Sequence, residues 1–157
     1  KGLASGLPLS GVISRMELMK KWIPGSHGGT YGGNAVAAAA AVATIRAMKE
    51  ERMLENALER GEQLMSGLRQ LQKDYPAMVD VRGLGLMVGT EFRTAERKPD
   101  KTTAKELVRA CLNRRLMLLT CGTWDNTIRW IPPLIVSKEE IQQALEIFAE
   151  ALKEVLA

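Results

Sequence analysis

Aromatic residues, histidines and cysteines are scarce in this sequence. Phe, Trp and Tyr make up 4% of the 157 residues, and the net charge of +4 comes from 22 basic and 18 acidic residues spread along the chain. Because no basic block alternates with aromatic residues, the sequence does not indicate nucleic-acid binding. No apolar run reaches the roughly 20 residues that a transmembrane helix needs, so a membrane span is not predicted either.

The few residues that could bind a metal are not spaced as ligands. His27 is the one histidine, and Cys111 and Cys121 form no CxxC pair. We therefore predict no metal site. We interpret the two cysteines as reduced thiols of a cytoplasmic protein, since disulfides are rare in that compartment.

The first 52 residues have the pattern of loops around helices. The whole chain is 46% hydrophobic, enough to bury one core, or one core and an appended segment. We predict a short strand over residues 11–14 and a short helix over 15–22. A glycine-rich loop over 23–33 then leads to Asn34, which is well placed to cap a long alanine-rich helix.

Near residue 52 the pattern changes to charged amphipathic helices and short strands, and we place a domain boundary there. Apolar residues at helical spacing predict a helix that ends near Tyr75 and Pro76. Residues 79–92 are typical of two strands hinged at Gly83 and Gly85.

The remaining segment continues the alternation of helices and strands. We predict a helix over residues 102–115 and strands over 116–119 and 127–130. Ser137 and Glu140 have the spacing of a capping box, which predicts the start of a last helix through residue 156. This order predicts a small α+β domain, a sheet with helices on one face.

Lys1 is the first candidate for a chemical role. It stands directly before a glycine-rich stretch of small residues, and no Met precedes it. An apolar setting lowers the pKa of a lysine and makes the neutral amine available to form a Schiff base with an aldehyde. We therefore expect the chain to begin at its own catalytic residue, with half of the active site upstream. A solvated surface lysine is the alternative.

Two further segments are candidates for binding anions. In residues 25–34, glycines allow backbone N–H groups to approach an anion, Thr30 offers a hydroxyl, and the following helix offers its positive end. A glycine-rich turn capped by Asn34 is the alternative. Arg129 lies among apolar and aromatic residues, and its planar guanidinium suits a carboxylate. A structural ion pair is the alternative for Arg129.

Taken together, these segments resemble one family, the class III PLP-dependent aminotransferases. Residues 1–12 are similar to the family's lysine segment, and residues 29–34 to its phosphate-binding threonine segment. Residues 81–87 resemble a strand turn of its small domain, and residues 118–134 its carboxylate-binding arginine region. The motifs follow the family's order over essentially the whole chain. Within the family, the resemblance is to the 4-aminobutyrate aminotransferases.

The resemblance implies a fold and a role for each candidate residue. The fold is the α/β type I fold of PLP-dependent transferases, with residues 1–52 as the C-terminal end of the PLP-binding large domain and 53–157 as the C-terminal small domain. Lys1 is implied to hold pyridoxal 5'-phosphate as a Schiff base and then to act as general base and acid. Thr30, with Gly29, is implied to bind the cofactor phosphate across the interface of a homodimer. Arg129 is implied to bind the α-carboxylate of glutamate or 2-oxoglutarate.

On this resemblance we expect amino transfer from 4-aminobutyrate, or a similar ω-amino donor, to 2-oxoglutarate. Another class III donor (ornithine, acetylornithine or a diamine) is an alternative, and so is a non-catalytic dimerisation module. The family's upstream phosphate loop, stacking aromatic residue and aspartate have no counterpart in these 157 residues. Without that aspartate PLP is a poor electron sink, so we expect the 157-residue chain alone to be inactive.

Overall fold

The computed structural model describes residues 2–156, which divide into two compact units. The first unit runs to Arg52 and the second begins at Met53. Arg52 has a φ of 50°, a left-handed conformation that interrupts helical geometry. The helical conformation is therefore interrupted at Arg52, and a separate helix lies on either side of it.

The first unit consists of loops and two helices, α1 (Met16–Met19) and α2 (Ala35–Glu50). Asn34 caps α2 as predicted, because its Oδ1 accepts a hydrogen bond from the N–H of Ala37 at 2.9 Å. The prediction of a strand over residues 11–14 was wrong. Val12 and Ile13 are exposed, and no described segment of this unit pairs with their backbone groups, which a strand requires.

The second unit is a four-stranded antiparallel sheet with three helices. Its strands are β1 (Met78–Leu84), β2 (Met87–Phe92), β3 (Leu119–Cys121) and β4 (Thr127–Trp130), in the order β1-β2-β4-β3 across the sheet. Its helices are α3 (Met53–Gln72), α4 (Lys101–Asn113) and α5 (Lys138–Leu156). This arrangement confirms the predicted α+β class. Among residues 2–156, no helix is both long and apolar enough to cross a membrane.

One face of the sheet is buried beneath the helices. Val88, Phe92 and Ile128 enter a core to which all three helices contribute, through Leu64, Leu68, Leu107, Ile141, Phe148 and Leu152. Trp130 meets Phe148 edge-on with ring centroids 4.9 Å apart, a geometry that aromatic pairs prefer. Because successive side chains of a strand alternate, the residues between these lie on the opposite face. We call it the open face; its residues are Asp80, Arg82, Gly89, Glu91, Leu119, Cys121, Thr127 and Arg129.

Cys111 of α4 is part of this core. Burial raises the pKa of its thiol to about 12, because the thiolate is poorly solvated there. The thiol is therefore protonated at neutral pH and unreactive. Cys111 and Cys121 are both free cysteines.

The predicted capping box is confirmed at the start of α5. The N–H of Ser137 donates to Oε2 of Glu140 at 2.7 Å, and the N–H of Glu140 donates to Oγ of Ser137 at 3.1 Å. Each side chain thus satisfies one backbone donor that the helix itself leaves without a partner.

The strand predicted over residues 116–119 begins later, at Leu119. Helix α4 ends at Asn113, but hydrogen bonds to its last turn continue beyond that residue. The N–H of Leu116 donates to the carbonyl of Cys111 at 2.9 Å. Arg115 adopts a φ of 67°, the left-handed conformation that ends many helices. Pairing starts only where Leu119 lies opposite Arg129 of β4.

Helix α3 and the turn between β1 and β2 approach each other at two glycines. A Cβ atom on Gly61 would lie 2.2 Å from the carbonyl oxygen of Gly85. Gly85 has a φ of 54°, which glycine adopts without strain. Backbone thus meets backbone, and no flexible side chain is present to move aside.

Gly61→Ala is therefore expected to destabilise the chain by about 1–3 kcal/mol or more, the usual cost of overpacking. Gly67→Ala, in the same helix, is the matched control, because its Cβ would meet the ends of the Leu145 side chain. A leucine side chain can rotate, and alanine raises helix propensity by up to about 1 kcal/mol. Urea denaturation of both variants measures the difference; equal losses of stability would contradict the close approach.

Candidate functional site

The glycine-rich segment ends at the N-terminus of α2. Thr30 is exposed there, and a Cβ on Gly29 would meet nothing within 4 Å. The N–H of Gly32 donates to the carbonyl of Gly29 at 2.9 Å, which folds the segment into a turn around Thr30. An exposed hydroxyl, an unobstructed glycine and the positive end of a helix form a donor set that suits a phosphate group.

Lys1, the predicted Schiff-base lysine, lies outside the described residues. The residues that follow it are attached to α2. Oγ1 of Thr44 donates to the carbonyl of Ala40 at 2.8 Å, so the 2.8 Å contact between Ser5 and Thr44 is a hydrogen bond donated by Oγ of Ser5. Ala4 beside it is buried. The start of the first unit is thus held against the alanine-rich helix.

Arg129 lies in β4 on the open face of the sheet. It is directly opposite Gly89 of β2 and Leu119 of β3. Its side chain is exposed, and within residues 2–156 it forms no salt bridge and no hydrogen bond. The structural ion pair that the sequence left open is therefore not observed in this part of the chain.

Near Arg129, four charged residues of β1, of β2 and of the position that follows β2 form a cluster, which we call the Glu91 cluster (Asp80, Arg82, Glu91 and Arg93). Arg82 forms salt bridges with Asp80 at 2.5 Å and with Glu91 at 3.0 Å. Arg93 binds the other oxygen of Glu91 at 2.9 Å. Partial burial opposes ionisation of Glu91, but the hydrogen bonds from Arg93 and Arg82 outweigh it and lower the pKa of the carboxyl. The pKa of Arg82 is raised, chiefly by its hydrogen bond to Asp80.

The strand that carries Arg129 is held in place by Asn126, which precedes it. Asn126 is buried, and its Nδ2 donates to the carbonyl of Phe92 at 2.9 Å. The N–H of Phe92 donates in return to the carbonyl of Asn126 at 2.8 Å. These two bonds attach the start of β4 to the end of β2, and so define the position of Arg129 along the sheet.

Arg129 also contributes to the wall of a cavity of about 430 Å³ beside β3. Apart from Arg129 and Glu140, the lining side chains are apolar or aromatic, including Leu64, Leu119 and Ile141. Arg129 therefore stands where the charged open face meets apolar surface. A molecule with both a carboxylate and a hydrocarbon chain matches such a border.

The structure describes Thr30 and Gly29 in the first unit and Arg129 in the second, so no single unit contains all the predicted site residues. Sequence reasoning missed the Glu91 cluster. The signal was a charged residue at every second position, Asp80 with Arg82 and Glu91 with Arg93, which places each pair on one face of a strand. The register between β1 and β2 was needed to join the two pairs.

Known proteins resemble the chain over nearly all of its length. The sequence model of the family Aminotransferase class-III matches residues 1–152. The chain is 38% identical over 156 residues to the 5-aminovalerate aminotransferase DavT of Pseudomonas putida, covering 99% of this chain and 37% of that protein. It is 37% identical over 156 residues to the 4-aminobutyrate aminotransferase GabT of Escherichia coli, covering 98% of this chain and 37% of that protein.

A solved structure agrees with these sequence relatives. The ornithine δ-aminotransferase of Plasmodium falciparum matches with a TM-score of 0.79 and 29% identity, over 91% of this chain and 35% of that one. The predicted fold, that of the PLP-dependent aminotransferases, is thereby confirmed. The chain spans 37% of the length of each of the two sequence relatives.

Replacing Arg129 by glutamine is expected to change the free energy of unfolding by no more than about 0.5 kcal/mol, the range of surface substitutions. Asn126→Ala is the control, and we expect it to cost about 1–2 kcal/mol because it removes a buried hydrogen bond. Urea denaturation of the 157-residue chain compares the two. If Arg129→Gln lowers the free energy of unfolding as much as Asn126→Ala does, Arg129 has a structural role instead.

Proposed function

The chain belongs to the class-III aminotransferase family, and we propose that the protein transfers an amino group from 4-aminobutyrate, or a similar ω-amino acid, to 2-oxoglutarate. The observation that carries the proposal is the similarity to DavT and GabT, whose named donors are 5-aminovalerate and 4-aminobutyrate. Both donors are unbranched amino acids with the amine and the carboxylate at opposite ends. The proposal therefore names a donor class together with one acceptor.

Arg129 is proposed to bind the α-carboxylate of glutamate or 2-oxoglutarate. Its guanidinium is exposed on the open face and has no salt bridge within residues 2–156. An arginine fork binds a carboxylate through two parallel hydrogen bonds, which fixes the orientation of the bound molecule. Such binding would hold the reacting end of the substrate at a constant distance from Arg129.

Class-III aminotransferases are PLP-dependent enzymes, and PLP when bound supplies an electron sink at the amine-bearing carbon of the substrate. The donor set around Thr30 fits the phosphate of this cofactor. We propose that Thr30 donates its hydroxyl and Gly29 its backbone N–H to the phosphate, beside the N-terminus of α2. For Lys1, the proposed role is to hold the cofactor and to take and return the substrate proton through Nζ.

The proposal extends to the organisation of the whole protein. Residues 1–52 are proposed to be the C-terminal end of the cofactor-binding large domain, and residues 53–157 the small domain. The whole protein is proposed to be a homodimer in which Thr30 of one protomer serves the active site of the other. We propose the cytoplasm as its location, because both cysteines are free thiols.

A second donor class follows from the structural neighbour, which is an ornithine aminotransferase. Ornithine also carries an amine at the end of an unbranched chain, and differs by a second amine beside the carboxylate. Because Arg129 is proposed to bind the acceptor, its position does not distinguish the two donor classes. The identity of the donor is therefore a matter for a direct comparison.

To test the function, the product of the complete reading frame is assayed with PLP, 2-oxoglutarate and a panel of donors. We expect kcat/KM to be highest for 4-aminobutyrate or 5-aminovalerate. Higher values for ornithine or acetylornithine would support the second donor class. Folded, PLP-binding protein without transfer from any donor would contradict the proposal.

The role of Thr30 is tested by cofactor affinity. Thr30→Val is expected to raise the dissociation constant for PLP by about 10- to 100-fold, because hydrogen bonds to charged groups contribute about 1.5–3 kcal/mol. Thr30→Ser retains the hydroxyl and should stay within a few-fold of the original protein. Titration of each apoprotein variant with PLP, followed by absorbance, measures the two dissociation constants. Equal affinities of the valine and serine variants for PLP would exclude the hydroxyl as a ligand.

A further inference from the structure

We propose that Arg82 and Arg93 are positioning residues, which bind the carboxylate of Glu91 and so prevent it from pairing with Arg129. Arg129 is thereby left available to the carboxylate of a substrate. The inference rests on the proposed function, in which Arg129 binds that carboxylate. It gives the Glu91 cluster the role of keeping Arg129 unpaired, a role separate from binding cofactor or substrate directly.

The register of the sheet brings Glu91 and Arg129 close together. Glu91 of β2 lies directly opposite Thr127 of β4, and Arg129 follows two residues later on the same face. Diagonal neighbours of this kind have Cα atoms about 7–8 Å apart, within reach of long side chains. Of the two carboxylates in the cluster, Glu91 is the one on a strand adjacent to β4.

The observed contacts direct Glu91 away from Arg129. Oε2 of Glu91 accepts from Nη1 of Arg82 at 3.0 Å, and Oε1 accepts from Nε of Arg93 at 3.0 Å. Arg82 belongs to β1, which flanks β2 on the side opposite to β4. Each carboxylate oxygen therefore already accepts a hydrogen bond, and one of these bonds comes from β1, on the side of β2 that faces away from β4.

The charges of the cluster balance without Arg129. Asp80 and Glu91 contribute two negative charges, and Arg82 and Arg93 contribute two positive charges. Arg93 is held further by a hydrogen bond from Nη1 to the carbonyl of Arg97 at 3.2 Å. The side chain of Glu91 is only 17% exposed, so its ionised carboxylate depends on a cation for stabilisation. Without Arg82 and Arg93, Arg129 would be the cation within reach.

The first test needs no catalytic activity. NMR titration of the product of the complete reading frame gives the pKa of Glu91 in the variant Arg82→Gln/Arg93→Gln and in the same variant with Arg129→Gln added. We expect the pKa to remain low in the double variant, because Arg129 binds Glu91, and to rise when Arg129 is also replaced. A pKa that rises fully in the double variant, or does not rise in the triple variant, overturns the inference.

The second test uses the product of the complete reading frame. Arg82→Gln/Arg93→Gln is expected to raise the KM for 2-oxoglutarate about two- to fivefold, the range that competition from one exposed ion pair allows, while kcat stays nearly constant. Adding Glu91→Gln removes the competing carboxylate and should restore KM. An unchanged KM, or a KM that Glu91→Gln fails to restore, overturns the inference.

Arg114→Gln is the matched control for the loss of arginine ion pairs. Arg114 binds two carboxylates, those of Glu150 at 3.2 Å and Glu154 at 2.6 Å, but it belongs to the helical layer and not to the open face. Its replacement should leave the KM for 2-oxoglutarate unchanged.

If the complete protein transfers amino groups and only the KM prediction fails, the inference is wrong and the proposed function stands. If no transfer occurs with any donor, the proposed function fails and the pKa of Glu91 alone decides whether Arg129 can bind it.

Discussion

An antiparallel sheet beneath helices buries only one of its faces, and most features of the second unit depend on that constraint. Alternate residues of β2 and β4 enter the core, and the residues between them are carried to the open face. Arg129 is exposed because Ile128 and Trp130 on either side of it are buried. The position of Arg129, the candidate for binding a carboxylate, is thus a consequence of core packing and not of any contact that Arg129 itself makes.

The same packing determines which charges meet on the open face. Gly61 allows α3 to approach the β1–β2 turn at Gly85, and this turn aligns β1 with β2. In that register Asp80 lies opposite Glu91, and Arg82 is close enough to bind both. A backbone contact in the helical layer therefore supports a charge arrangement at the other side of the sheet.

The Glu91 cluster contributes more to the arrangement of charges than to stability. Exposed ion pairs stabilise a protein by about 0–1 kcal/mol each, so the pair of Arg82 with Asp80, in which both side chains are about half exposed, adds little to folding. In the arrangement that we propose, the main effect of the cluster is on Arg129, since a cation already paired with a neighbouring carboxylate binds a second one less well.

Local chemistry in the sequence was sufficient for the elements whose interactions lie within a few residues. The cap at Asn34, the capping box of Ser137 and Glu140 and the turn near Gly85 were predicted and are observed. The strand over residues 11–14 was wrong and β3 began later than expected, because a strand needs a partner and the partner is not a local feature. Resemblance to a family identified Lys1, Thr30 and Arg129, whose roles stay predictions.

The sequence by itself thus determined the family, the α+β class and the residue types that suit a phosphate and a carboxylate. Only the tertiary structure decided that Arg129 has no salt bridge within residues 2–156 and that Glu91 is bound by Arg82 and Arg93. The physical reason is strand register. Whether two opposite charges form an ion pair depends on a few ångströms of separation across the sheet. That distance is set by the packing of segments far apart in the chain.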